Sequence, residues 1–321
     1  MLNKVKKNFF SIYTNVLLTF VGYFIFKFTN KTPNFFYQAY VKSYCLTNAK
    51  IKDRLAKLCS KKIKILNFRE SKLLNKNLNY DKVINNLKND GYHIFEDKIS
   101  ENITNKLIDF SKNVKCDVFN DEGEYLSTYY DSKKDIVSSK YEIPTVDLLK
   151  NNIIRDIALD DGFKKITTSY FKTNPIISDI SLWWSPVRNI KKNFNLETKN
   201  QSAQMFHFDL DRISWLKLFI YLSDTDENSG PHEFVKGSHN SGAKPPELLK
   251  MGYNRLSDEQ INDYYSKNNI KKILGKKGTM FIGDTSCYHR GHPPIIKDRL
   301  LLVIEFSNSM FGASHKKINI S

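Results

Sequence analysis

Cysteine is scarce in this chain, and arginine-rich tracts are missing. The four cysteines, Cys45, Cys59, Cys116 and Cys287, form no C-x-x-C pair and follow no framework spacing. Such scatter argues against a disulfide scaffold or a cysteine zinc site, and fits a reduced, intracellular protein. Positive charge is abundant, at 50 Lys+Arg against 34 Asp+Glu and a net +16, but it is mostly lysine spread along an asparagine-rich chain. With no zinc-finger spacing and no aromatic RNA-binding signature, that charge describes a solvated surface, and no nucleic-acid partner is expected. Acidic small partners still suit it, such as a CoA ester, a sugar nucleotide or anionic lipid heads.

Residues 9–26, FFSIYTNVLLTFVGYFIF, are the most apolar stretch. The run approaches the length that crosses a bilayer, although Ser11, Thr14, Asn15 and Thr19 dilute it. Lys4, Lys6 and Lys7 precede it, but no small-residue cleavage site follows, which argues against a removed signal peptide. Three readings stay open: a spanning anchor, a helix lying in the membrane interface, or a helix packed on the protein core. If it spans, the lysines that follow, from Lys27 and Lys31 onward, keep the rest of the chain cytoplasmic. Residues 50–66 read as a basic amphipathic helix, whose polar face meets either water or anionic lipid. The expected division is a basic helical extension at 1–75 with membrane contact through 9–26, and a catalytic domain at 76–321.

The centre of the sequence is the stretch 204–239, which opens with His207-Phe208-Asp209. On an extended strand alternate side chains share a face, so this imidazole and carboxylate converge. They supply two members of a two-histidine, one-carboxylate set that leaves positions open on Fe(II). Alone, the triplet equally describes a surface histidine beside a solvated aspartate. A candidate third ligand, His289, follows the strand-like run 279–282. Ten positions later (299 minus 289), Arg299 opens a second apolar run and offers a planar fork that fits a carboxylate.

The ordered set His207, Asp209, Asn228-Ser229-Gly230-Pro231, Gly237-Ser238-His239, Gly283-Asp284, His289 and Arg299 resembles the phytanoyl-CoA dioxygenase family of Fe(II)/2-oxoglutarate oxygenases, over roughly residues 81–308. The resemblance implies a β-rich α+β fold, with a double-stranded β-helix (jelly roll) core and flanking helices. It also implies Fe(II) held by His207, Asp209 and His289, with 2-oxoglutarate and O2 as cosubstrates and Arg299 on the far carboxylate. The retained Asp209 favours hydroxylation of an unactivated C–H bond over halogenation. The substrate expected is a small or lipid-like molecule. Two other classes use the same residues: a non-catalytic jelly-roll scaffold at the membrane, and a zinc hydrolase.

Other residues carry weaker expectations. Lys217 interrupts the strand 215–222, where an unpaired lysine is costly. By family position it is expected on the cosubstrate beside Arg299, with a strand-end lysine or a partner for Asp211 or Asp224 as alternatives. His93, His232 and His239 read as structural, and His292 as a loop residue behind the site. Cys287 reads as a small buried residue. Trp183 and Trp184 wall a pocket or fill the core. Arg188 and Lys192 are loose candidates for a ligand carboxylate. The insertion 240–272, with a helix capped by Ser257 and Gln260, is a lid or a surface decoration.

Overall fold

The computed structural model of the chain describes all residues except 1, 61–66, 121, 135, 189–203, 314–317, 319 and 321; side chains are described from Phe10 onward. Lys192 and Lys61 to Lys64 therefore lie outside the described residues. Three helices come first, α1 (Leu2–Thr29), α2 (Asn34–Leu46) and α3 (Lys50–Cys59), then α4 (Tyr80–Asn89), β1 (Tyr92–Lys98) and α5 (Glu101–Lys112). Next are β2 (Lys115–Phe119), β3 (Tyr125–Tyr129), β4 (Tyr141–Ile143), α6 (Thr145–Leu148), α7 (Asn152–Ala158) and α8 (Asp161–Phe171). The remainder holds β5 (Ile176–Ser185), β6 (Trp215–Tyr221), β7 (His232–Val235), α9 (Pro246–Lys250) and α10 (Asp258–Asn262). It ends with β8 (Ile270–Ile273), β9 (Thr279–Gly283), β10 (His289–Gly291) and β11 (Arg299–Ser307). Side-chain caps start several helices, among them Ser100 on α5 and the Ser257–Gln260 capping box on α10.

The strands form two antiparallel sheets, one ordered β1-β9-β6-β11-β5-β4-β2-β3 and the other β10-β7-β8. A bridge between His207 and His289 extends the smaller sheet. The pair makes the expected jelly roll, and its strand periodicity explains the composition of the long strands. One face of the large sheet, with Leu216, Leu218, Ile220, Leu300, Leu302 and Ile304, packs on residues of α4, α5, α7 and α8. The opposite face, with Phe219, Tyr221, Leu301 and Val303, meets Phe234 and Ile273 of the small sheet inside the roll. A strand covered on both faces has no water-facing side, which is why β6 and β11 read as continuous apolar runs. Trp183 and Trp184 divide accordingly: Trp183 packs toward the interior, and Trp184 stacks on Tyr130 at 4.6 Å.

The first three helices share a core with the roll. Tyr23, Phe26, Tyr40, Tyr44, Ile51 and Leu55 pack with Phe206, Phe208, Trp215, Tyr288 and Phe311. A Cβ on Gly22 would fall 2.3 Å from Phe36 Cβ, so glycine in mid-helix permits the close approach of α1 and α2. Residues 50–59 do form an amphipathic helix, but Lys52 points inward and bonds Asp284 Oδ2 at 3.2 Å and Ser286 Oγ at 2.8 Å. Helices α1 to α3 are thus joined to the barrel by a buried ion pair and a common apolar core.

Candidate metal and cosubstrate site

The narrow pairing of two backbone segments builds the site. His207 and His289 exchange both N–H to carbonyl bonds, at 3.0 and 2.7 Å, which sets their rings on one side with centroids 4.3 Å apart. Asp209 is fixed one register further along by its N–H to Thr285 O, at 2.8 Å. His207 Nδ1 lies 2.9 Å from Met205 O and His289 Nδ1 lies 3.0 Å from Cys287 O. A carbonyl only accepts, so each Nδ1 carries the proton and each Nε2 keeps a lone pair facing the centre. Those Nε2 atoms lie 3.6 and 3.7 Å from the two oxygens of Asp209, and the three donors fall within 4.8 Å of one another. Burial, above all other influences, depresses both imidazoles below their ordinary pKa, keeping them neutral. Two neutral nitrogens and one anionic oxygen converging in a buried site suit a divalent first-row metal.

The carboxylate is itself held. Burial alone would raise Asp209, but the Lys217 ammonium beside it drives its carboxyl well below the usual range. Lys217 Nζ is 2.8 Å from Asp209 Oδ2, 3.8 Å from Asp211 and 3.6 Å from Glu305. Glu305 in turn accepts from Ser178 Oγ at 2.6 Å and lies 3.9 Å from the fully buried Arg212. The expectation that Lys217 sits beside Arg299 on the cosubstrate does not match this register. On β11 the residue opposite Lys217 is Glu305. Arg299 lies six residues earlier, about 20 Å along an extended strand. The ammonium answers three carboxylates, Asp211 among them.

Arg299 has the opposite surroundings. Its Nη2 bonds Ser185 Oγ at 3.2 Å, while Nε and Nη1 are buried with no hydrogen-bond partner among the described residues. Burial pushes this guanidinium down to about 10, against only a weak opposing pull from Tyr221. Room for the fork depends on Gly291, where a Cβ would sit 3.2 Å from Arg299 Nη2. A buried guanidinium with two donors free of protein partners among the described residues suits an anion.

Around the site, His232 was read as structural, and Glu305 and Arg212 were not read at all. His232 faces the same pocket, since a Cβ on Gly291 would also lie 3.6 Å from its Nε2. Its Nδ1 is buried without a partner among the described residues, so a purely structural role does not account for it. Glu305 and Arg212 escaped because nothing local marks them; a glutamate in the apolar run LLLVIEF was the one available signal. The insertion reaches the site: Phe206 pairs with Leu256, and Arg255 is close enough for its charge to depress both metal-facing imidazoles. Tyr253 stands near Asp209 and Asp211, whose charges add to burial in raising its phenol. The Gly283-Asp284 pair is architectural. Burial opposes ionisation of Asp284, but Lys52 and then His239 hold it well below the usual range, and Tyr170 donates to it at 2.9 Å. His239 contacts the Cys287 thiol at 3.4 Å, and His292 pairs with Glu233 at 2.8 Å, away from the three donors.

This is the fold and donor set of a jelly-roll iron oxygenase. Residues 88–294, about two thirds of the sequence, match the family described as Phytanoyl-CoA dioxygenase (PhyH), and the chain belongs to it. The match includes His207, Asp209, Lys217 and His289 and stops short of Arg299. Fe(II), 2-oxoglutarate and O2 are the cofactor and cosubstrates of that chemistry, and the protein is a 2-oxoglutarate-dependent oxygenase. Among solved structures, HygX from Streptomyces hygroscopicus, with nickel and 2-oxoglutarate bound, is similar at 14% identity and TM-score 0.51, covering 72% of this chain and 88% of its own. AviO1 from Streptomyces viridochromogenes Tue57 is similar at 15% identity and TM-score 0.45, covering 72% of this chain and 95% of its own. EctD from S. alaskensis, in its apoform, is similar at 15% identity and TM-score 0.47, covering 70% and 76%. No curated protein matches the sequence.

Proposed function

We propose that the protein hydroxylates an unactivated C–H bond of a small or lipid-like molecule, with His207, Asp209 and His289 holding Fe(II) and Arg299 holding the far carboxylate of 2-oxoglutarate. The observation that carries this reading is the buried Arg299 fork, two of whose nitrogens have no partner among the described residues, in the same roll as three converging donors. Neither a zinc hydrolase nor a scaffold has a use for such a group. When bound, the iron with 2-oxoglutarate and O2 supplies the oxidant for C–H cleavage. The chain's own residues do the rest. The carbonyls of Met205 and Cys287 keep both Nε2 atoms unprotonated, and Lys217 keeps Asp209 ionised and oriented. Ser185 and Gly291 aim the guanidinium, and the apolar interior around Phe219 and Leu301 excludes water. Tyr253 and Arg255 from the insertion, near the metal side of the site, are the residues to contact substrate. The cytoplasm, which supplies ferrous iron and 2-oxoglutarate, is the compartment this reading requires.

The test is spectroscopic and chemical. Under anaerobic conditions, Fe(II) plus 2-oxoglutarate should produce a weak visible charge-transfer band, absent in His207→Ala. On admitting air the wild type should convert 2-oxoglutarate to succinate, with His207→Ala at background. A protein that binds Zn(II) but gives neither band nor succinate contradicts the reading.

A further inference from the structure

The two faces of α1 are built for different surroundings. Thr19, Gly22, Tyr23 and Phe26 turn inward, with Thr19 Oγ1 3.1 Å from Ser43 Oγ and Phe311 packed edge-on against Tyr23 and Phe26 at 5.7 and 5.8 Å. Outward point Phe10 at 76% exposure, Leu17 at 64%, Phe24 at 56% and Phe28 at 87%, with Val21 and Tyr13 also exposed. Positions 10, 14, 17, 21, 24 and 28 alternate steps of four and three, which on a helix is one straight stripe about 27 Å long. Thr14, the polar member, turns its hydroxyl back to Phe10 O at 2.9 Å. No ionisable group other than Tyr13 interrupts the stripe, and Phe35 extends the apolar surface onto α2. Soluble surfaces show apolar side chains singly, so a patch this continuous has an occupant.

Charge identifies the occupant. The first acidic residue of the chain is Asp53, and eight lysines precede it, including Lys4, Lys6 and Lys7 before the stripe and Lys27 and Lys31 at its far end. A second copy would oppose lysine to lysine and +16 to +16. An anionic lipid surface presents the opposite sign, with an apolar layer just beneath it. The helix is long and apolar enough to cross a bilayer, but crossing would strip Thr19, Tyr23 and Phe26 from the core they share with the barrel. We propose that α1 lies flat on an anionic membrane with Phe10, Leu17, Val21, Phe24 and Phe28 sunk into the lipid, holding the barrel against the surface. The next helix carries Tyr37, which lies near Asp211 and Asp209. On the oxygenase reading above, the same hairpin therefore binds lipid and walls the site, an arrangement suited to amphipathic substrates.

Flotation of the full-length protein with preformed vesicles is the test. Vesicles of phosphatidylcholine mixed with phosphatidylglycerol should carry the protein up, phosphatidylcholine alone should carry much less, and high salt should release part of it. The triple variant Leu17→Ser, Val21→Ser, Phe24→Ser should bind at least about tenfold more weakly, with its anaerobic Fe(II)/2-oxoglutarate band unchanged. That band separates failure of the membrane proposal from failure of the oxygenase reading. Equal flotation of the variant, no flotation at all, or a soluble dimer that the triple substitution splits would overturn the proposal. So would a protein that resists both salt and alkaline washing, because that behaviour belongs to a spanning helix.

Discussion

Lys217, partly buried, and Arg299, buried, are cations on the inner face of the large sheet, on the paired strands β6 and β11, yet they stand in opposite company. Asp209, Asp211 and Glu305 surround Lys217 within 4 Å, and burial, which would lower its pKa, is outweighed by those carboxylates. Among the described residues Arg299 has one serine hydroxyl, and burial lowers its pKa. At the metal end the chain supplies the cation with its own anionic partners, so the geometry of Asp209 is set by the protein itself. At the arginine end the balance is left open, and a cosubstrate anion completes it. One barrel thus combines a metal-facing carboxylate oriented by the protein with a guanidinium whose charge an anion would stabilise.

The largest expected effect separates the two cations by sign. Lys217→Met leaves three carboxylates without their shared counter-charge and should cost about 3–5 kcal/mol of stability. Arg299→Met removes an unpaired buried charge and should leave the ligand-free melting temperature unchanged or higher. Calorimetry or denaturant melts of the two variants decide the matter; equal destabilisation would break the comparison. Next in size, Arg299→Ala should raise the apparent KM for 2-oxoglutarate by about 10- to 150-fold, the worth of charge-assisted bonds of about 1.5–3 kcal/mol.

Acid sensitivity should come from neither cation but from buried neutral histidines. Burial, with Lys52 and Lys244 opposing Asp284, holds His239 at about 4 against an ordinary 6.5. Between those values the unfolded chain binds more protons than the folded one, so stability is lost as pH falls through that window. The loss from this residue is about 2 kcal/mol between pH 7 and pH 5. Melts across that range should show it, and His239→Gln should flatten the dependence. Smallest of all, Ser185→Ala takes one hydroxyl from Arg299 and should raise the KM for 2-oxoglutarate about two- to fivefold. A larger change would mean that the guanidinium is held mainly by its serine.

What could be read from the residues was whatever local periodicity or motif order carries. The β6 run 215–222 and the strand-like run 279–282 were visible because short apolar runs are local signals; they appear at Trp215–Tyr221 and Thr279–Gly283. His207, Asp209, His289 and Arg299 were visible through their order. The company of Lys217 was not, since Glu305 lies 88 positions away (305 minus 217) and meets it only through the β6–β11 register. Lys52 was read on a polar face meeting water or anionic lipid, as a lysine on a basic helix ordinarily does; only the fold brings Asp284 to it. The hairpin of β2 and β3 left no expectation, because β3 is exposed along its whole length and has no burial pattern to read.

The most direct test titrates the anaerobic Fe(II) protein with 2-oxoglutarate and with pyruvate, which has the same 2-oxo acid head and no distal carboxylate. Wild type should bind 2-oxoglutarate at least about tenfold more tightly than pyruvate, and Arg299→Ala should bind the two alike. If the variant still prefers 2-oxoglutarate as strongly as wild type does, the lone guanidinium is not the seat of the cosubstrate and the account fails.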